Sequence, residues 1–257
     1  MIDWPPSRCE FPDNFIERMI AFDKCECELT CELLGRSSYH EYTDATVWDE
    51  GLLEDIHAAG EGILNFIACC SELNEKSYFG KRIVSLDIET TTWFPKAYEG
   101  FVNILGMSVL DLREGPIENS RLLIHQTFNM LRKKEKACHL LHLALDILND
   151  ADIVLVFNKG FDIKILNTII ENFCIEYEFP ETIVDLKDSY RSLAHLEQFL
   201  KKKVKFRRLN SEKGKYPDYY KLFKGKGSKG VGKQIEPIGI YNIMDTLTPL
   251  YAFLLLE

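Results

Sequence analysis

From residue 82 onward the chain alternates short apolar runs with stretches of helical periodicity. RIVSLDIE (82–89) is mostly apolar and rich in β-branched residues, which predicts a strand. VNILGMSVLDL (102–112) and RLLIHQTF (121–128) predict two more, divided by the turn-like REGPIENS, so the three form an antiparallel meander. Over about 130–149, Leu131, Cys138, Leu141, Leu145 and Leu148 fall on one side of a helix. DIVLVF (152–157) predicts a buried strand, and NKGFDIKILNTIIENF (158–173) a turn that becomes a helix. ETIVDL (181–186) reads as a short strand and SLAHLEQFLKKK (192–203) as a helix. IGIYNIMDTLTPLYAFLLLE closes the chain as a last helix, with Pro249 expected to kink or restart it. Three strands followed by alternating helices and strands predict an α/β fold, a mixed sheet flanked by helices.

Residues 1–80 have a different texture. Leu52, Leu53, Ile56, Ile63, Leu64 and Ile67 recur at helical spacing, which predicts a helix over about 48–72. A second helix is expected over about 13–34, and the polar SELNEKSYFGK (71–81) reads as a connection. The expected organisation is a small, mainly helical N-terminal region (1–80) of unknown role, suited to recruiting a protein partner, before the α/β domain (81–257).

Composition adds limits. The chain has 257 residues and 46% hydrophobic content, enough for a buried core. No apolar run reaches eighteen residues, so no membrane span is expected. The charged first twenty residues do not read as a secretory signal. Eight cysteines are too few for a disulfide scaffold, and a reducing, cytoplasmic setting is expected. Charge is unevenly spread: residues 1–80 carry a net −12, 81–200 a net −5 and 201–257 a net +8, within a total of −9. The bases of the last part all lie between Lys201 and Lys233. Such a basic segment reads as a solvated loop or as a polyanion contact.

Three acidic pieces interrupt otherwise apolar elements. In LDIETT, Asp87 and Glu89 stand two apart on a strand, so both carboxylates leave the same face. Two neighbouring carboxylates repel, and a divalent cation with a preference for hard oxygen ligands relieves the repulsion. Taken alone, D-x-E is an ordinary solvent-facing pattern. In VFNKGFDIKIL, Asn158 ends a buried strand, Gly160 permits the turn and Asp162 opens a helix, where the helix dipole alone favours an acid. In YNIMD, Tyr241 and Asp245 share a helix face, as they would on any amphipathic terminal helix.

Taken together and in this order, Asp87-x-Glu89, Asn158-x-x-Phe161-Asp162 and Tyr241-x-x-x-Asp245 resemble the Tyr-containing (DEDDy) branch of the DEDD superfamily of 3′–5′ exonucleases. These are DnaQ-like nucleases with a ribonuclease H-like fold, and the predicted element order matches that sheet. The likeness is to proofreading domains of family B polymerases and to the YprB-like ribonuclease H-like group, and it covers about residues 82–257. It implies a two-metal centre of Mg2+ or Mn2+ acting on the 3′ end of a single-stranded nucleic acid. By that likeness Asp87 bridges both ions, Glu89 and Asp245 complete the first ion's shell, and Asp162 holds the second. Tyr241 orients the attacking water. Asn158 and Phe161 position the site, and Thr90 and Thr91 lie where relatives contact the terminal nucleotide. One departure is Thr92-Trp93-Phe94-Pro95, where many relatives place a Gly. Trp93 and Phe94 read first as core residues and second as stacking platforms for a base.

Other motifs carry less. GSKGVGKQ (227–234) has the spacing of a nucleotide-binding P-loop. Gln234 stands where Ser or Thr would bind Mg2+, and Pro237 with Gly239 argues against the helix such a loop opens, so no nucleoside triphosphate is expected. Lys224, Lys226, Lys229 and Lys233 are instead expected to guide a strand's phosphates. Cys25, Cys27 and Cys31 match no common zinc spacing and read as buried small residues, with a metal as the lesser alternative. Two other functions compete with the exonuclease: a nucleic-acid-binding scaffold on the same fold, and a structure-specific endonuclease. Against the scaffold stands the complete acidic set, for which a purely structural descendant would have no evident use.

Overall fold

The computed structural model describes residues 16–23, 32–33, 60, 62–63, 67, 78–90, 102–113, 121–128, 134–204 and 231–256. Its strands are β1 (Ile16–Asp23), β2 (Glu32–Leu33), β3 (Arg82–Thr90), β4 (Val102–Asp111), β5 (Arg121–Phe128), β6 (Ile153–Val156) and β7 (Ile183–Asp185). The helices are α1 (Lys134–Asn149), α2 (Asp162–Asn172), α3 (Leu193–Val204) and α4 (Val231–Leu256), with a 3-10 turn at Leu186–Asp188. One seven-stranded sheet joins all the strands in the order β2-β1-β5-β4-β3-β6-β7.

The meander β3–β4–β5 forms as its sequence predicts, with Asp87 opposite Gly106 and Gly106 opposite Gln126. Strands β6 and β7 then run parallel to β3, each reached by a helical connection. Helices α1, α2 and α3 also begin within a few residues of their predicted starts.

Each face of the sheet buries its own apolar cluster, which follows from strand alternation. Val84, Leu86 and Ile88 of β3 pack with Leu105, Met107 and Val109 of β4 against α1 and α2. On the opposite face Ile83, Leu110, Leu122, Ile124, Ile153 and Leu155 pack against α3 and α4, with Ile63, Ile67 and Tyr78. Toward the end of β3 this second face turns polar: Ser85, Asp87, Glu89, Gly106, Ser108 and Gln126 replace aliphatic residues. Helix α4 answers with polar residues of its own. Thr246 Oγ1 and Ser108 Oγ share a hydrogen bond at 2.6 Å.

Two expectations are corrected. The helix predicted over 13–34 is not present at residues 16–23, which form β1 and pair with β5 along its whole length. Glu, Arg, Met and Ala favour helix locally, but β5 offers an open edge, and tertiary pairing outweighs such small propensities. β1 and β2 thus extend the sheet across the expected break at residue 80. The second correction concerns the last helix, which begins at Val231 and passes through both Pro237 and Gly239. Pro237 falls in its second turn, beyond the four N–H groups that need no partner, so it forfeits the bond to the Lys233 carbonyl, a cost that the buried later turns of the helix offset. Pro249 likewise leaves the helix assignment continuous to Leu256, while the Thr248 hydroxyl bonds back to the Met244 carbonyl one turn below. The described residues of the predicted 48–72 helix, namely 60, 62, 63 and 67, are helical. Among the described residues no helix is long and apolar enough to cross a membrane.

Candidate metal centre

Strand β3 places Asp87 and Glu89 on the face toward α4, with buried Ile88 between them pointing the other way. Asp245 descends from α4 onto the same point. One carboxylate oxygen from each of Asp87, Glu89 and Asp245 lies within 4.8 Å of the others. Like charges at that spacing repel by about 3 kcal/mol per pair at an effective dielectric constant near 20. Asp245 is only 4% exposed. The ordinary amphipathic-helix reading therefore fails, because α4 is buried on all sides from Asn242 to Leu254. Three convergent carboxylates with one deeply buried suit a small divalent cation with hard oxygen ligands.

Asp162 reaches the same region from the opposite layer. β6 pairs with β3 only as far as Ser85 and Leu155. Beyond that point the free edge of β3 needs another acceptor, and the Ile88 N–H donates to Asp162 Oδ1 at 3.2 Å. Asp162 is 4% exposed. Burial, opposed by hydrogen bonds from Ile88 and from its own backbone, pushes its pKa up to about 7, with the charges of Asp185 and Asp245 adding to the rise. Asp162 stands outside the group of three carboxylates but is electrostatically linked to Asp245.

The other predicted residues divide. Tyr241 is half-buried one turn before Asp245 on α4. The Asn158 carbonyl accepts from the N–H groups of Phe161 and Asp162 at 2.8 and 3.0 Å, closing the turn that delivers Asp162. The Asn158 side chain accepts from Lys187 Nζ at 3.2 Å. Phe161 packs against the core shared by β3, β4, α1 and α2. Thr90 ends β3 beyond a bulge that follows Glu89. Thr91, Trp93, Phe94, Lys224, Lys226, Lys229 and the cysteines Cys25, Cys27 and Cys31 lie outside the described residues, as does the Lys233 side chain.

Sequence reasoning missed four residues. Asp185, at the end of β7, accepts from the backbone N–H of Lys159 at 2.9 Å and of Lys187 at 3.0 Å, tying the Asn158 turn to the sheet. Asn242, beside Tyr241, donates Nδ2 to Asp87 Oδ2 at 2.6 Å. Gln126 on β5 donates to Asn242 Oδ1 at 2.7 Å, and Gly106 makes room for that contact. A polar residue facing inward from a central strand, as Gln126 does, was the available signal.

No curated protein matches the chain. Among solved structures, the family B DNA polymerase from the hyperthermophilic archaeon Pyrobaculum calidifontis is similar, with 16% identity and a TM-score of 0.44. The alignment covers 66% of this chain and 24% of that one. A family model described as the RNase_H superfamily matches residues 84–252, from the first core strand to the last turns of α4. With that match spanning more than half of its length, the chain belongs to the RNase H superfamily, which supports a nuclease-type function.

Proposed function

We propose that this protein is a divalent-metal-dependent 3′–5′ exonuclease of the DEDDy type, acting on single-stranded nucleic acid. The observation that carries the reading is the convergence of Asp87, Glu89 and Asp245 from two separate elements within 4.8 Å. The donor set fits Mg2+ or Mn2+. Asp87, Glu89 and Asp245 would hold one ion, with Asp87 shared, and Asp162 would help hold a second. Two such ions, when bound, supply positive charge to the attacking and leaving oxygens of a phosphodiester. The chain's own part is placement. β3 fixes the spacing of Asp87 and Glu89, α4 sets Asp245 against them, and the Asn158 turn sets Asp162. Tyr241, half-buried one turn from Asp245, would orient a water with its hydroxyl. Thr90 and Thr91 would meet the terminal nucleotide, and the lysines of the basic segment the phosphates behind it.

The test is digestion of 5′-labelled single-stranded DNA and RNA with Mg2+ or Mn2+. A ladder shortening stepwise from the 3′ end is expected, abolished by EDTA. Asp87→Ala and Asp245→Ala should each lower the rate by roughly 100-fold or more, the scale of losing a major electrostatic contributor. Digestion undiminished by both substitutions would refute the site. Internal fragments without a ladder would assign the centre to an endonuclease instead.

A further inference from the structure

We propose that Asn242, itself held by Gln126, is a positioning residue that aims the Asp87 carboxylate into the metal centre. The inference rests on the metal-dependent reading above.

Asn242 is fully buried, on the turn of α4 that carries Tyr241 and Asp245. Its Nδ2 donates to Asp87 Oδ2 at 2.6 Å and to the Asp87 carbonyl at 3.2 Å. Its Oδ1 accepts from Gln126 Nε2 at 2.7 Å. Gln126 Nε2 also donates to the Gly239 carbonyl at 2.7 Å. Both ends of this chain are acceptors, a backbone carbonyl and a carboxylate that is ionised whenever it holds a metal. The direction of both amides is therefore determined. Gln126 must present NH2 to Gly239, and Asn242 must present NH2 to Asp87. Reversing either amide places two oxygens face to face.

Gly106 is the third part of the device. It sits opposite Asp87 in the β3–β4 register and opposite Gln126 in the β4–β5 register. A Cβ at this position would lie 2.8 Å from Asn242 Cγ and closer still to Oδ1. Only a residue without a side chain lets the amide lie across the strand and reach Asp87. The amide also suits its task chemically. It pins one oxygen of Asp87 with a strong charge-assisted hydrogen bond and adds no positive charge that would compete with a cation. Outer partners of this type orient metal-binding carboxylates, and their loss commonly weakens the metal by about 10–100-fold.

The experiment measures Mn2+ affinity of the full chain by calorimetry and electron paramagnetic resonance, without substrate. Asn242→Ala should weaken Mn2+ by about 10–100-fold, and saturating Mn2+ should restore much of the digestion rate. Gly106→Ala should weaken Mn2+ comparably. The pair should be non-additive: once Asn242 is Ala, adding Gly106→Ala should change affinity by less than about twofold, because the clashing side chain is gone. Gln126→Met, two steps from the ion, should cost roughly 3–10-fold and serves if Asn242→Ala does not fold. Wild-type affinity in both Asn242→Ala and Gln126→Met, or additive losses in the Gly106/Asn242 pair, would overturn the proposal. Absence of Mn2+ binding by the wild type would instead remove the metal reading beneath it.

Discussion

His125 should make the fold acid-sensitive independently of the candidate metal centre. It lies on β5, between Met19 of β1 and Met107 of β4, and is fully buried in the sheet. Burial disfavours the imidazolium and lowers its pKa from 6.5 to about 4. In the unfolded chain the ring protonates near 6.5, so between those two values the unfolded state binds the extra proton. Stability from this group is complete above about pH 6.5 and falls as pH drops toward 4. Between pH 7 and pH 5 linkage gives a loss of about 2 kcal/mol from this one residue. That is a sizeable share of the roughly 5–15 kcal/mol by which domains are stable. The assay is urea unfolding of wild type and His125→Leu at both pH values, with EDTA present so that metal does not contribute. Subtracting the variant's pH dependence from the wild type's cancels the carboxylates common to both. A residual of about 2 kcal/mol is expected. Equal pH dependence in the two proteins would show that His125 accepts its proton without unfolding, and the burial argument would be wrong.

Two further outcomes follow from particular contacts. Asp162→Asn and Asp162→Ala should both lose nuclease activity. Only the alanine should also lose about 1–3 kcal/mol in denaturant unfolding, because Asn keeps an acceptor for the Ile88 N–H. Replacing Lys224, Lys226, Lys229 and Lys233 together by Ala should weaken binding to a single strand and flatten its salt dependence by up to about 3 in the log–log slope. Mn2+ affinity should be unchanged, and equal binding to wild type at low salt would mark the segment as a solvated loop.

Much of this was legible in the sequence because apolar alternation and helical periodicity are local signals. β3 to β7 and the helices between them lie where their patterns put them. The order of Asp87, Glu89, Asp162, Tyr241 and Asp245 along those elements was enough to suggest a shared site. What escaped notice is what only tertiary contact decides. β1 reads as helix because nothing local reveals the open edge of β5. Helix α4 extends through Pro237 because burial around its later turns outweighs a local breaker. Asn242, Gln126 and Gly106 lie on three separate elements, and only the packing of the sheet against α4 shows that they meet. Asp185 reads as the polar end of a short strand until β7 lies beside the turn leading to Asp162.

The short overlap of β6 with β3 ties the candidate centre to the packing of the sheet. Because β6 stops at the level of Ser85, the fold itself has a use for Asp162, whose carboxylate stands in for the missing strand beside Ile88. Asp87 is similarly engaged by the buried amide of Asn242. Two of the acids therefore serve contacts within the fold as well as facing the candidate metal centre. Substituting either acid changes a contact of the sheet as well as the candidate centre, so a loss of digestion at these two positions has to be read beside a measurement of stability.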